Sequence, residues 1–295
     1  MKSVGYYPGC SQGCSAREYD LSVRALAAAM QIDLREIPDW VCCGGSSAHA
    51  IHHTAAFALA ADSLVKARRA GMERVLAPCA MCYSRLATAV HDAKSNPAMA
   101  KAAGEVLAPA EEVDIARLQV MSVLNWLESL PRGELARRIV RPLKGLKVAC
   151  YYGCLLVRPP QVTGVKNVEA PRNMEALVGE LGAQPVRWSM ATECCGACFS
   201  LSCKPVVQRQ GRQILEAARS SQANVIVLAC PMCHSNLDMR QAEFAAGGQT
   251  IPVLYVTQLI GLAMGMSPEA LHFAGHFVDV EPVLTAAGQG VSHDA

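Results

Sequence analysis

The chain has 295 residues, 52% of them hydrophobic and 18% charged, with a formal net charge of +2 and 14 cysteines. That composition excludes a disordered polymer. The small net charge excludes the strongly basic face on which nucleic-acid binding rests, leaving a small molecule or a protein as the expected partner.

The predicted elements alternate short β runs with helical patterns, the signature of parallel α/β layering. Met1-Lys2-Ser3-Val4-Gly5-Tyr6 runs directly into a strand over Val4–Tyr7, with no apolar core of signal-peptide length. A helix over Glu18–Gln31, a strand over Ile32–Ile37, a helix over His53–Ala70 and a strand over Arg74–Ala77 follow. Residues 93–141 read as mostly helical, most clearly over Val120–Leu130. The second half repeats the order: strand Leu146–Tyr151, helix Asn173–Leu181, strand Pro185–Trp188, helix Pro205–Ser220 and strand Val225–Ala229. A strand over Val253–Val256 and a helix over Leu259–Met264 close the chain. The expected fold is α/β, two pseudo-symmetric Rossmann-like domains with parallel sheets. The first covers 1–144 with a helical linker over about 93–144, and the second covers 145–295. Arg132, Arg137, Arg138, Arg141, Lys144 and Lys147 make the end of the linker basic. That is either a solvated connector or a docking face for an acidic partner.

The longest apolar stretch, Ile251–Met266, is 16 residues, short of the roughly 20 that cross a bilayer. No membrane span is predicted, and the expected location is cytoplasmic. Thiols stay reduced there, so the cysteines read as metal ligands or redox groups.

Ten of the 14 cysteines form one frame written twice. Cys10 is followed by Cys42-Cys43-Gly44 and then Cys79-Ala80-Met81-Cys82; Cys154 is followed by Cys194-Cys195-Gly196 and then Cys230-Pro231-Met232-Cys233. Tyr7-Pro8-Gly9-Cys10 is matched by Tyr151-Tyr152-Gly153-Cys154. Each cysteine falls where a predicted strand runs into a loop, and ligands of open α/β sheets collect at those carboxyl ends. A CxxC puts two thiolates on one turn. A Cys-Cys pair serves one site only from a turn, for which Gly44 and Gly196 supply the backbone freedom. Structural zinc takes four ligands, and a cubane cluster also uses four. Five thiols per frame fit an iron–sulfur assembly with more iron positions to cap or with an exchangeable ligand. Zinc in one half stays open.

Cys14, Cys150, Cys198 and Cys203 lie outside the frames. They are either small buried apolar residues or thiols beside a metal centre, with Cys198 the strongest candidate for the second role. His49, His52, His53 and His234 are capping or surface residues, or groups that handle a substrate proton. Cys198 and His234 are the catalytic candidates. Tyr83 and His234 hold equivalent places after the two CxxC motifs. No nucleotide-binding or serine-nucleophile motif is present, so electrons arrive from another protein of the same assembly.

The doubled frame resembles the CCG-domain signature of the heterodisulfide reductase B subunit. Val148–Pro159, Cys230-Pro231-Met232-Cys233-His234 and the tail from Pro252 to Met266 are similar as well. The resemblance covers essentially the whole chain. It implies two noncubane 4Fe-4S clusters facing each other across a substrate cleft. Cys10, Cys42, Cys43, Cys79 and Cys82 would hold one, and Cys154, Cys194, Cys195, Cys230 and Cys233 the other. It also implies a small ferredoxin-like C subunit carrying cubane clusters, a flavin-bearing A subunit, and disulfide chemistry run as two one-electron steps. Leu155, Ala197-Cys198-Phe199-Ser200 and the proline-free Cys42-Cys43-Gly44-Gly45 depart from the methanogen type. They look more like the bacterial heterodisulfide reductase-like sulfur-oxidising complex, whose substrate is sulfur on a lipoate-binding protein or a small disulfide. Two alternatives stand beside this reading. One is the iron–sulfur subunit of a lactate, glycolate or succinate oxidoreductase, and the other is a zinc-stabilised scaffold without catalysis.

Overall fold

The computed structural model describes residues 2–45, 48–98, 101, 107, 114–245 and 249–288. Its strands form two four-stranded sheets with the same spatial order, and every pairing in both is parallel. In the first, β2 (Ile32–Glu36), β1 (Lys2–Tyr6), β3 (Arg74–Leu76) and β4 (Gln119–Met121) lie side by side. In the second the order is β6 (Gln184–Pro185), β5 (Lys147–Tyr151), β7 (Val225–Leu228) and β8 (Val253–Tyr255). The expected parallel α/β architecture with two matching halves is present.

The central strands are apolar because both faces are covered. Val225 to Leu228 and Val253 to Tyr255 are buried without interruption, as strands of parallel sheets are. Edge strand β2 keeps Asp33, Arg35 and Glu36 exposed, which blunts the edge with charge. Helix α1 (Arg17–Ala29) buries Tyr19, Ser22, Val23, Leu26 and Ala27, the stripe that a 3.6-residue period makes. Helix α2 spans His53–Arg69.

Three elements differ from their sequence readings. Val120–Leu130 is not one helix: Gln119–Met121 joins the sheet, and helix α4 (Val123–Glu128) begins after a Ser122–Asn125 capping box, the usual device for starting a helix. A helix absent from the expectation, α3 (Ala80–Ser95), grows directly out of the first CxxC. The strand expected over Pro185–Trp188 is reduced to Gln184–Pro185. Of the expected linker helix, residues 99–100, 102–106 and 108–113 lie outside the described residues. Its basic end is partly paired: Arg137 and Arg138 both bind Glu134. Arg138 also donates to Ala29 O, at the C-terminus of α1, at 2.8 Å, where a cation suits the helix dipole.

The halves share one core. Helices α5 (Asn173–Glu180) and α6 (Lys204–Ser220) cover the second sheet, and helix α8 (Val256–Ala263) packs on α1. Tyr19 stacks on Tyr255 at 4.0 Å between ring centroids and 5° between planes. Ser22 Oγ and Thr257 Oγ1 share a buried hydrogen bond of 2.7 Å. Among the described residues no helix is long and apolar enough to cross a membrane.

Candidate metal centres

The cysteines cluster because the loops carrying them leave the carboxyl ends of neighbouring strands, where parallel sheets gather ligands. Cys10 follows β1, Cys42-Cys43 follow β2, and Cys79 caps α3 after β3. Cys154 follows β5, Cys194-Cys195 follow β6, and Cys230 caps α7 (Pro231–His234) after β7. Both capping cysteines have extended backbones, with Cys79 at φ −87°, ψ 124° and Cys230 at φ −149°, ψ 123°. The closing cysteine of each CxxC is thereby turned back onto its Cys-Cys pair. Cys43 and Cys82 have Sγ atoms 3.4 Å apart, and Cys195 and Cys233 have theirs 3.5 Å apart.

Two repeated devices fix these loops. Tyr7 Oη donates to Val41 O and Tyr151 Oη donates to Glu193 O, each at 2.7 Å. The acceptor in each case is the residue before the Cys-Cys pair, so a tyrosine at the end of the leading strand of each half clamps the loop that carries the pair. Each tyrosine also packs on a tryptophan, Tyr7 on Trp40 and Tyr151 on Trp188. The glycines before Cys10 and Cys154 admit the sulfurs. A Cβ on Gly9 would stand 2.9 Å from Cys82 Sγ, and one on Gly153 would stand 3.3 Å from Cys233 Sγ.

The two nests adjoin. Cys79 and Cys230 lie within electrostatic reach of each other, so the buried thiols form one row of Cys43, Cys82, Cys79, Cys230, Cys233 and Cys195. Protons distribute unevenly along that row. Cys230 is held well below the ordinary thiol value by its thiol neighbours Cys233 and Cys79, whereas Cys195 pushes Cys233 up. In the same way the Cys82 thiol holds Cys43 low and is itself raised. Cys154 holds Cys194 down at about 6. The donor set is all thiol, the usual ligand set of iron–sulfur clusters. One further atom fits a bound inorganic group: Tyr19 Oη is fully buried, has no hydrogen-bond partner among the described residues, and lies within electrostatic reach of Cys79 and Cys230. A buried orphan hydroxyl costs about 1–3 kcal/mol unless something meets it.

Cys10 and Cys42 are exposed and Cys154 and Cys194 half-buried, while Cys43, Cys79, Cys82, Cys195, Cys230 and Cys233 are buried. The nests are therefore open on one side. Cys198 is exposed beside Cys194 and Cys195, and its own partial burial, with their charges, raises its thiol. Cys14 is exposed and Cys203 half-buried. Cys150 is fully buried within β5, where burial and Glu175 push its thiol up.

His234 is not a group facing the open side. It is 1% exposed and stacks on Tyr255 at 4.4 Å, with Nε2 3.2 Å from Val253 O and 3.3 Å from His276 Nδ1. Burial holds both histidines below their ordinary value, His276 at about 4. Asp238 completes this wedge, accepting the backbone N–H groups of Phe277 and Val278 at 2.8 and 3.2 Å. His52 caps α2 by accepting from Ala55 N, His53 is exposed, and the side chain of His49 lies outside the described residues. Arg85, on α3, was not singled out by sequence, although its position three residues after Cys82 was a readable signal.

Residues 4–87 and 148–238 match the CCG family, described as a cysteine-rich domain. The chain is 30% identical to the 8-methylmenaquinol:fumarate reductase membrane anchor subunit of Wolinella succinogenes, over 95% of this chain and 98% of that protein. It is 28% identical to the B subunit of the ferredoxin/F(420)H(2)-dependent CoB-CoM heterodisulfide reductase of Methanosarcina acetivorans, over 92% of each. A crystal structure of a hypothetical protein from Helicobacter pylori shares the fold, with a TM-score of 0.75 at 12% identity. That match covers 94% of this chain and 52% of the other.

Proposed function

The chain belongs to the CCG cysteine-rich family, among proteins like the heterodisulfide reductase B subunit, and from that premise we propose that it works on sulfur at two noncubane clusters. As an iron–sulfur redox component it functions within a larger oxidoreductase. Cys10, Cys42, Cys43, Cys79 and Cys82 hold one cluster, and Cys154, Cys194, Cys195, Cys230 and Cys233 the other. The observation that carries this reading is the same sulfur contact made twice in adjoining all-thiol nests, Cys43 with Cys82 at 3.4 Å and Cys195 with Cys233 at 3.5 Å.

Cleaving R–S–S–R′ to two thiols takes two electrons and two protons, and oxidising the thiols returns them. When bound, the clusters would supply one electron each, and the two protons would exchange with solvent at the open side. The chain positions the reacting sulfur. Tyr7 and Tyr151 hold the Cys-Cys loops at fixed positions. The buried cysteines close the inner side, and the exposed Cys10, Cys42 and Cys198 mark the side from which substrate sulfur approaches. The departures at Leu155 and over Ala197–Ser200 favour sulfur borne on a lipoate-binding protein, oxidised in the cytoplasm, over the methanogen disulfide. A ferredoxin-like C subunit and a flavin-bearing A subunit would take the electrons onward.

A second reading is supported by the Wolinella relative, which is named for an 8-methylmenaquinol:fumarate reductase and which this chain matches along 98% of its length. There the two clusters would relay electrons between a quinol and an organic-acid reductase without touching sulfur substrate. Anaerobic purification, iron and sulfide quantitation and electron paramagnetic resonance separate the two. A spectrum altered by dihydrolipoamide and unmoved by a menaquinol analogue supports sulfur chemistry, and the reverse supports the relay. Zinc in one nest with iron in the other would narrow the reading to a single cluster. Zinc in both, without iron or acid-labile sulfide, sinks it.

A further inference from the structure

Three residues after the closing cysteine of each CxxC the halves differ in charge: Arg85 in the first, Asn236 in the second. Residues three apart on an α-helix share a face, so Arg85 lies on the face of α3 that carries Cys82, which meets Cys43; Asn236 holds the counterpart place in the π-helical turn after Cys233, which meets Cys195. Asn236 Nδ2 uses that place to donate to Cys195 O at 3.1 Å and to approach its Sγ at 3.6 Å. Arg85 occupies the counterpart place with a full positive charge, within electrostatic reach of Cys43 and, across the open side, of Cys198. Its buried Nε has no hydrogen-bond partner among the described residues. At this one position the nests therefore differ, a cation beside the first and a neutral amide beside the second; the arginines around the second nest are engaged elsewhere, Arg158 with Thr192 O and Glu169, and Arg240 with Ser200 O.

Cluster potentials follow net charge and the hydrogen bonds to sulfur. A cation beside a thiolate ligand favours the more negative, reduced state. We infer that Arg85 makes the first nest the higher-potential electron site, so that it fills before the second. This rests on the reading that both nests hold clusters. It gives the complex an order: an incoming electron settles by Cys43 and Cys82, and the second then occupies the nest of Cys195 and Cys233. Arg85 acts through its neighbouring ligand and is a positioning residue.

The test is an anaerobic redox titration of the full chain, followed by electron paramagnetic resonance, for wild type, Arg85→Gln, Arg85→Met and Arg85→Lys, with iron and sulfide measured on each. A Cys154→Ser chain identifies which midpoint belongs to the first nest. Removing the charge is expected to raise the oxidised-to-reduced ratio at the wild-type midpoint by about tenfold, which is 59 mV for a one-electron couple. The lower midpoint should stay in place, and Lys should restore most of the loss. Fully loaded variants with an unmoved upper midpoint, equal movement of both midpoints, or a Lys variant that behaves like Met would each overturn the assignment. A wild-type chain without iron sinks the cluster reading itself, and this inference with it.

Discussion

The two halves build the same thiol geometry on different supports. In the first, the CxxC opens the 16-residue helix α3, and Tyr83 follows the closing cysteine. In the second, α7 stops after four residues and the chain winds through a π-helical turn over Ser235–Met239. There His234, Asp238 and His276 form a buried wedge. Sulfur contacts of 3.4 and 3.5 Å and tyrosine clamps of 2.7 Å nevertheless recur on both sides. What repeats lies in the strand-end loops, and what diverges lies behind them and at the rim. Ligand position is therefore independent of the supporting scaffold, which leaves the surroundings of each nest free to differ.

The largest expected break in that symmetry comes from the ligands. Serine at Cys194, Cys195, Cys230 or Cys233 should empty the second nest and abolish turnover while the first keeps its iron. Full iron in those variants would refute the ligand assignment. Next comes pH. Burial lowers His276 from 6.5 to about 4, so its neutral form is favoured on folding and stability falls as pH drops from 6.5 toward 4. Burial raises Asp238 from 3.8 to about 6, so its contribution is complete below 3.8 and is lost as pH rises through 6. The two oppose each other over one window. Asp238→Asn should expose the histidine loss, making the unfolding free energy from denaturant titrations fall on acidification by up to about 3 kcal/mol more than in wild type. Parallel pH profiles for the two proteins would show that the wedge does not titrate as a unit.

Asn236→Ala should cost about 1–3 kcal/mol, because the buried Cys195 carbonyl loses its donor. Arg85→Ala leaves no such acceptor behind and should cost less. Tyr7→Phe and Tyr151→Phe each remove one bond to a loop carbonyl, about 1 kcal/mol. Unequal melting shifts for this pair would mean that the clamps are not equivalent. Smallest of all, Cys198→Ser should leave iron content unchanged, as expected of an exposed thiol outside both frames.

The doubled cysteine frame and the strand–helix alternation were legible because each has a local signature: fixed spacing for the first, hydrophobic period for the second. β4 and β6 were misread because they are three and two residues long and owe their state to a neighbouring strand, which no local window contains. His234 was credited with chemistry because sequence shows adjacency to Cys233 and hides direction. Its ring is buried against Tyr255 and bonded to Val253 O. Arg85 went unnoticed for the converse reason. Its neighbour Cys43 is distant in sequence, and the parallel with Asn236 emerges only when the two CxxC motifs are laid over each other.

The joint between the halves bears on which molecules can bridge the two sulfur sites. Tyr19 against Tyr255 at 4.0 Å, Ser22 bonded to Thr257, and α1 packed on α8 make that joint a solid block of interior. Protein interiors resist compression and shear. The buried Cys79 and Cys230 then stand at a spacing set at folding, and whatever the two nests hold is kept at that fixed separation. Changing the separation would mean recutting the aromatic joint.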